Sequence, residues 1–261
     1  MMKLGLAYKV CIGLNILFSC EKLIAQVGAE HTVQIRTIAV APYGVENNTK
    51  RSGIYYDLAN ILITESKFNS QHLIYPYARI ISELKNGKTD LTIMFKYKEL
   101  KDHVIYITPL PSLHNIVIGL KGNRFDSISD LEGKTIAYLR GARFSEDVDT
   151  NSKIKKHLTN DFRQGIKMLV RGRVDAIIGP MEPILSAADS IGMINIFNEP
   201  LYVSKRTPWL QISKKSKLRL NADEIREIFE NILKRGDLTK LKNKYRIGGA
   251  VISPNTIHTA E

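Results

Sequence analysis

The stretch from Tyr75 to Phe95, YPYARIISELKNGKTDLTIMF, leaves a chain few ways to fold. Tyr75-Pro76-Tyr77 closes a strand, because proline has no N–H to give a sheet ladder. Ile80, Ile81 and Leu84 fall at helical spacing, so the next segment is a helix with one apolar face. Gly87 stands where a helix C-cap glycine belongs. Leu91, Ile93 and Phe95 then resume as a strand. A short helix between two strands is a right-handed crossover and predicts a parallel sheet. Ligands of such sheets bind beyond the carboxyl ends of the strands. Tyr77 and the residues after Met94 are therefore expected at the site.

At these residues the chain resembles a known family. Pro76, Tyr77, Arg79, Leu84, Gly87 and Asp90 spell Pro-aromatic-x-Arg followed by L-x-x-G-x-x-D. This is similar to lobe 1 of the bacterial extracellular solute-binding proteins, family 3, which are periplasmic receptors of the type 2 fold. Gly53-Ile-Tyr-Tyr-Asp57-Leu58 is similar to the family's G-(Y/F)-x-x-D-L, Leu131-Glu-Gly-Lys-Thr-Ile-Ala137 to its L-x-G-K-x-(I/V)-A, and Leu169-Val-Arg-Gly-Arg-Val-Asp-Ala176 to its L-x-x-G-R-V-D-A. Four motifs in the right order, spread from Val33 to Tyr245, imply an α/β protein of two lobes. Each lobe is expected to be a mixed, mostly parallel sheet flanked by helices. The expected division is lobe 1 over 26–110 and 206–248, lobe 2 over 111–205, and a flexible tail over 249–261. The resemblance implies a monomer that needs no cofactor, binds a small molecule, and docks on an ABC transporter permease or a membrane sensor. Fold alone does not fix function.

The amino terminus carries Lys3 and Lys9 before an apolar run, Val10 to Ser19, which is too short to span a bilayer. A cleaved export signal over 1–25 is expected, and with it a periplasmic location. Two cleavage sites compete. Leu17-Phe18-Ser19-Cys20 resembles a lipobox and would leave a lipid anchor on Cys20. Leu23-Ile24-Ala25 fits an ordinary signal peptidase. Both cysteines, Cys11 and Cys20, lie in this segment, so the mature chain would hold no disulfide and no thiol site. The formal net charge of the 261 residues is +12. That balance favours acidic partners: an anionic membrane, a polyanionic envelope or an anionic ligand. Nucleic acid does not fit behind an export signal. The basic residues are scattered rather than gathered in one run.

Further along, Val33 to Val40 alternates as a strand, and Ala41-Pro42-Tyr43-Gly44 ends it with turn chemistry. Asn47 to Ser52 reads as a polar loop. Tyr55, Leu58, Ala59 and Leu62 give a helix. His103–Ile107, Asn115–Leu120, Thr135–Leu139, Val174–Ile178, Ile194–Phe197 and Leu201–Val203 read as strands. The chain is expected to cross between lobes near Thr108–Asn115 and Ser204–Pro208. Ser145 and Asn221 stand as helix caps, and Pro183 as a first helical residue. Ile225, Ile228, Phe229, Ile232 and Leu233 form a helical stripe that Gly236 stops. No internal repeat is visible.

Tyr43, Tyr77, Phe95 and Tyr97 follow strand ends of lobe 1, where the resemblance puts flat side chains against a ligand; aromatic residues there also serve as packing. Arg140 and Arg143 flank Gly141 before Phe144 and a helix start, which suits a carboxylate or phosphate. Glu146 and Asp147 in that first turn would satisfy the same groups. Two departures from the family matter. Amino-acid-binding members carry an E-R pair whose arginine clamps the ligand carboxylate, and here the pair is Glu99-Leu100. Members also place an aspartate after the G-R-V-D-A strand for the ligand's ammonium. Here Gly179-Pro180-Met181-Glu182 stands instead, with only Glu182, displaced, to serve. Lys96, Lys98 and Arg79 offer charge nearby. His31, His72, His103, His114, His157 and His258 are isolated, with no metal spacing, and no catalytic motif appears. Asp175 reads as structural, and Trp209 as rim or hinge packing.

The first reading is a solute receptor, not an enzyme, whose lobes close on a small molecule other than an ordinary α-amino acid. The site residues are Tyr43, Tyr77, Phe95, Lys96, Tyr97, Arg140, Gly141, Arg143, Phe144, Met181 and Glu182. Alternatives are a dehydratase-like enzyme on the same scaffold, using Glu182 with Lys96 or Arg143, and an envelope interaction protein that has lost its ligand.

Overall fold

The computed structural model of the protein describes residues 32–48 and 50–245. The expected export segment, Cys11, Cys20, His31, His258 and the expected tail lie outside the described residues. One sheet is built from β1 (Val33–Ile38), β4 (Ser70–Tyr75), β5 (Leu91–Phe95), β6 (Val104–Pro109) and β12 (Pro208–Ser213). Its order is β4-β1-β5-β12-β6. β1 lies between β4 and β5 and is parallel to both. The unit from Tyr75 to Phe95 is thus a crossover that passes over β1. β12 and β6 extend the sheet antiparallel, so the sheet is as much antiparallel as parallel.

Helices α1 (Ile54–Ser66) and α2 (Tyr77–Asn86) belong to this lobe. Ile80, Ile81 and Leu84 are buried, as their spacing requires, and Gly87 ends α2 in the left-handed region at φ 72°. A Cβ there would also stand 2.8 Å from Cβ of Lys215, so glycine is doubly demanded. The segment expected as a polar loop is a hairpin instead, β2 (Val45–Asn47) on β3 (Lys50–Ser52). Polar residues pair there through backbone alone, which composition does not reveal.

The second sheet contains β7 (Leu113–Ile118), β8 (Thr135–Leu139), β9 (Lys155–Thr159), β10 (Ala176–Pro180) and β11 (Leu201–Arg206). Its order is β11-β7-β10-β8-β9. β8 is parallel to β9 and β10, while β7 is antiparallel to β10 and β11. Helices α3 (Glu146–Thr150), α4 (Phe162–Val170) and α5 (Met181–Asp189) flank it. Ile194–Ile196 is a short 3-10 turn rather than a strand. β9, with its exposed Lys155, is an edge strand whose charge masks it from a hydrophobicity reading. Helix α5 begins at Met181, so Pro183 sits inside its first turn. Neither Ser145 nor Asn221 caps a helix with its side chain. The Ser145 hydroxyl donates to the Val203 carbonyl at 3.3 Å, and the Asn221 amide donates to Glu224 at 3.1 Å.

The two sheets follow one plan, and a repeat is present after all. Leu84-x-x-Gly87-x-x-Asp90 precedes β5, and Leu169-x-x-Gly172-x-x-Asp175 precedes β10. In lobe 1 the Asp90 carboxylate accepts from the Gln34 amide at 2.7 Å, and the Asp90 amide donates to the Gln34 carbonyl at 2.7 Å. In lobe 2 the Asp175 carboxylate accepts from the Thr135 amide at 2.8 Å, and the Asp175 amide donates to the Thr135 carbonyl at 2.7 Å. Each aspartate mimics one more ladder pair at the start of a parallel strand. Only three residues per copy need match, so the repeat escapes a scan for similarity. Two short segments link the lobes, Leu110–Ser112 between β6 and β7, and Thr207 between β11 and β12. The hydroxyls of Ser112 and Thr207 lie 2.7 Å apart and tie the links together.

Two terminal helices, α6 (Ala222–Lys234) and α7 (Asp237–Lys244), return to lobe 1. Ile225, Phe229 and Ile232 are the buried part of the stripe on α6. Asp57 of α1 accepts from Lys244 and from the Tyr245 hydroxyl, both at 2.7 Å, which fastens the chain's last described turn to the first helix.

Candidate ligand-binding cleft

The strand ends of lobe 1 deliver aromatic rings to the seam between the lobes. Tyr43 follows β1, and its carbonyl accepts from the amides of Tyr55 at 3.0 Å and Tyr56 at 3.2 Å, so it doubles as the N-terminal cap of α1. Gly53 makes this possible, since a Cβ there would lie 2.5 Å from the Tyr43 carbonyl oxygen. The Tyr43 and Tyr55 rings stack at 4.2 Å. Tyr77 opens α2, and Phe95 and Tyr97 follow β5. All five of these rings are buried. From lobe 2 come Leu139, Phe144 and Phe162, and with the rings of Tyr43, Tyr55, Tyr77 and Phe95 they surround a cavity of about 10 Å³. That is about the room of a single water, so nothing larger enters unless the lobes part or rings turn.

One polar latch crosses the seam. The Tyr43 hydroxyl donates to Glu182 Oε2 at 2.7 Å, and Lys242 of α7 donates to Oε1 at 3.1 Å. Glu182 sits in the first turn of α5, on lobe 2, while both partners belong to lobe 1. Burial first, then Tyr55 and Glu182, push the Tyr43 hydroxyl well above its ordinary range. It therefore stays protonated and donates. Burial does the same to Tyr55, Tyr77 and Tyr97.

Beside the seam lies an open groove of about 880 Å³, lined from lobe 1 by Lys96, Tyr97 and Lys98 and from lobe 2 by Gly141, Arg143 and Phe144. Arg206, at the end of β11, spans it. Its guanidinium donates to the Arg143 carbonyl of lobe 2 and the Lys96 carbonyl of lobe 1. It lies 4.7 Å from the Phe95 ring centre and 5.5 Å from that of Tyr97. No motif in the sequence marks Arg206. Its one visible signal was a position in the expected second crossing. Asn115 is unmarked too; its amide donates to the Phe144 carbonyl at 2.9 Å and to Ser204 at 2.8 Å, which holds the backbone of Phe144 at the seam.

The other candidates are spread along the groove and beyond it. Arg140 is exposed on lobe 2 and lines neither the cavity nor the groove. Arg143 donates to the Ala142 carbonyl at 3.0 Å. The helix start beside them is occupied from within, because Asp149 accepts from the Phe144 amide at 3.2 Å and from the Tyr138 hydroxyl. Gly141, at φ 76°, lets lobe 2 approach α2; a Cβ there would stand 3.1 Å from Cβ of Ala78. Lys96 turns outward, its ammonium 3.7 Å over Trp209 and 4.4 Å over Tyr106. Met181 meets the exposed Tyr202 at 4.0 Å. Arg79 pairs with Glu83 at 2.9 Å and lies 3.5 Å over Tyr75.

The sequence matches the bacterial extracellular solute-binding proteins, family 3, over residues 35–248. It is 22% identical over 213 residues to the probable amino-acid-binding protein YxeM of Bacillus subtilis (strain 168), covering 78% of this chain and 79% of that one. Among solved structures, an ancestral arginine-binding protein bound to arginine superposes with a TM-score of 0.69 at 23% identity, over 82% of this chain and 97% of that one. The ancestral amino acid-binding protein AncCDT-1, a precursor of cyclohexadienyl dehydratase, superposes with a TM-score of 0.68 at 20% identity, over 86% and 98%. With the fold, the motif order and a match that spans most of its length in agreement, the chain belongs to the bacterial extracellular solute-binding proteins, family 3.

Proposed function

We propose that this protein is a receptor whose lobes part to admit a small molecule and close over it, handing it to a transporter or a sensor. The ligand has a flat or apolar body, held against Tyr43, Tyr77 and Phe144, and one acidic group that Arg206 takes with Arg143. The observation that carries this reading is the seam itself: rings from both lobes meet around a nearly filled cavity, and Arg206, which lines the adjoining groove, lies 4.7 Å from the ring centre of Phe95 in the cavity wall. Such a wall of apolar groups with few polar ones is the usual build of a ligand site. Leu100 is buried where amino-acid receptors of the family carry their carboxylate clamp. Glu182 is already engaged by Tyr43 and Lys242. A zwitterion leaving water needs both charges paired, and an unpaired buried charge costs several kcal/mol. Ordinary α-amino acids are therefore expected to bind poorly.

Calorimetry against the common amino acids and a panel of aromatic and organic acids tests both halves. An organic acid should bind at micromolar Kd and weaken at least about tenfold in Arg206→Ala, the worth of one charge-assisted hydrogen bond. Micromolar binding of a standard α-amino acid, weakened by Glu182→Gln, would overturn the ligand class and keep the receptor. Conversion of the bound molecule, read by mass spectrometry, would replace the receptor by an enzyme.

A further inference from the structure

The pole of lobe 1 opposite the cleft gathers three loops. The turn after α2 holds Lys88, the segment before β6 holds Lys101, and the turn after β12 holds Lys214, Lys215, Lys217 and Arg219. Contacts fix them together. The Lys214 amide donates to the His103 carbonyl at 2.8 Å, the Arg219 guanidinium donates to the Lys214 carbonyl at 3.3 Å, and Lys215 abuts Gly87. All six cations are exposed. Among the described residues none of the six is in an ion pair, whereas Lys85 of α2 is held by Glu99 at 3.6 Å. The exposed acids of these loops are that Glu99 and Asp102. In the midst stands Leu220, 81% exposed, on a turn whose neighbour Leu218 is 4% exposed and anchors it. The Ser216 hydroxyl, buried, caps that turn on the Leu218 amide at 3.0 Å. A rigid turn that lifts one large apolar side chain out of a field of cations suits the boundary of an anionic bilayer, where charge attracts and the side chain enters.

The chain's direction agrees. β1 starts at this same pole, where the Gln34 amide meets Asp90, so whatever precedes Thr32 joins the fold here. We infer that this pole docks on an anionic lipid surface, with the cleft turned away from it. This surface accounts for a part of the positive charge other than the Lys96, Lys98, Arg143 and Arg206 of the groove.

Binding of the full chain to vesicles, by sedimentation at about 0.15 M salt, tests it, where screening acts over about 8 Å. Vesicles rich in phosphatidylglycerol should bind more tightly than phosphatidylcholine ones. Each Lys or Arg at such a surface contributes about fivefold, so changing Lys214, Lys215 and Lys217 to Gln should weaken binding about a hundredfold. Leu220→Ser should weaken it further at unchanged salt dependence. The control changes Arg163, Lys167 and Arg171, exposed on the outer side of lobe 2, to Gln; it has the same net charge and should bind as the parent does. Equal loss in both triple variants would reduce the effect to net charge and overturn the pole. Equal binding to the two kinds of vesicle would overturn it as well. All these positions are exposed, and unchanged thermal unfolding confirms that each variant is folded.

Discussion

His72 of β4 is held neutral. Its ring stacks 4.1 Å from Tyr56, lies 2.8 Å from the Thr37 hydroxyl and 2.8 Å from the Asn60 side-chain oxygen. Burial, then the charges of Arg36 and Arg51, bring its pKa down to about 3. The unfolded chain takes up a proton near pH 6.5 and the folded one does not, so stability falls as pH drops below about 6.5 and continues to fall toward 3. From pH 7 to 5 this group should remove about 1–2 kcal/mol, measured by urea unfolding. His72→Gln should flatten that slope; an unchanged slope would mean that the ring is protonated in the fold. In sequence this histidine is one of six isolated ones, and nothing there marks its surroundings. The same limit governs the cleft. The positions of Tyr43, Tyr77 and Glu182 were legible, because strand ends place the first two and the end of β10 the third, in the first turn of α5. Arg206 was not, because its role depends on two carbonyls, those of Lys96 and Arg143, that meet only when the lobes touch.

At the scale of elements, periodicity carried far. The stripe on α6 and the unit from Tyr75 to Phe95 form as their spacing requires, since a buried face must repeat with the helix. What stayed hidden was polar: the β2–β3 hairpin, edge strand β9, and the matching backbone partners of Asp90 and Asp175, of which the sequence showed only that Asp175 is structural. Those aspartates are nonetheless sensitive to a single change. Asp175→Ala leaves the Thr135 amide without its acceptor and should cost about 1–3 kcal/mol. Hydrogen exchange should rise along β8 and β10 before it rises in lobe 1, because each lobe has its own sheet. Asp175→Asn keeps an acceptor oxygen and should lose less. Equal acceleration in both lobes would mean that they unfold as one unit.

The whole molecule is two sheets on one plan joined by two short links, and contacts across the seam oppose the freedom those links give. In the conformation described the contacts between the lobes include Glu182 with Tyr43 and Lys242, Gly141 against Ala78, the rings around the cavity, and Arg206 across the groove. A cavity of about 10 Å³ admits nothing larger than a water between the rings, so binding there requires a conformation in which the lobes stand further apart or rings turn. A hydrogen bond from a charged group contributes about 1.5–3 kcal/mol, enough that losing the one Arg206 makes across the seam, to the Lys96 carbonyl, moves a two-state balance about tenfold or more. Spin labels at Lys98 and Glu146, on opposite sides of the groove, report the separation. Arg206→Ala should lengthen the measured distance without a ligand. Ala78→Phe, an exposed position whose new ring meets Gly141, should do the same by bulk while Arg206 stays in place. A bound organic acid should keep the short distance in the parent and fail to restore it in Ala78→Phe. One short distance in the parent and both variants would show that the seam is fixed, and a receptor that cannot part its lobes has no way to admit a solute.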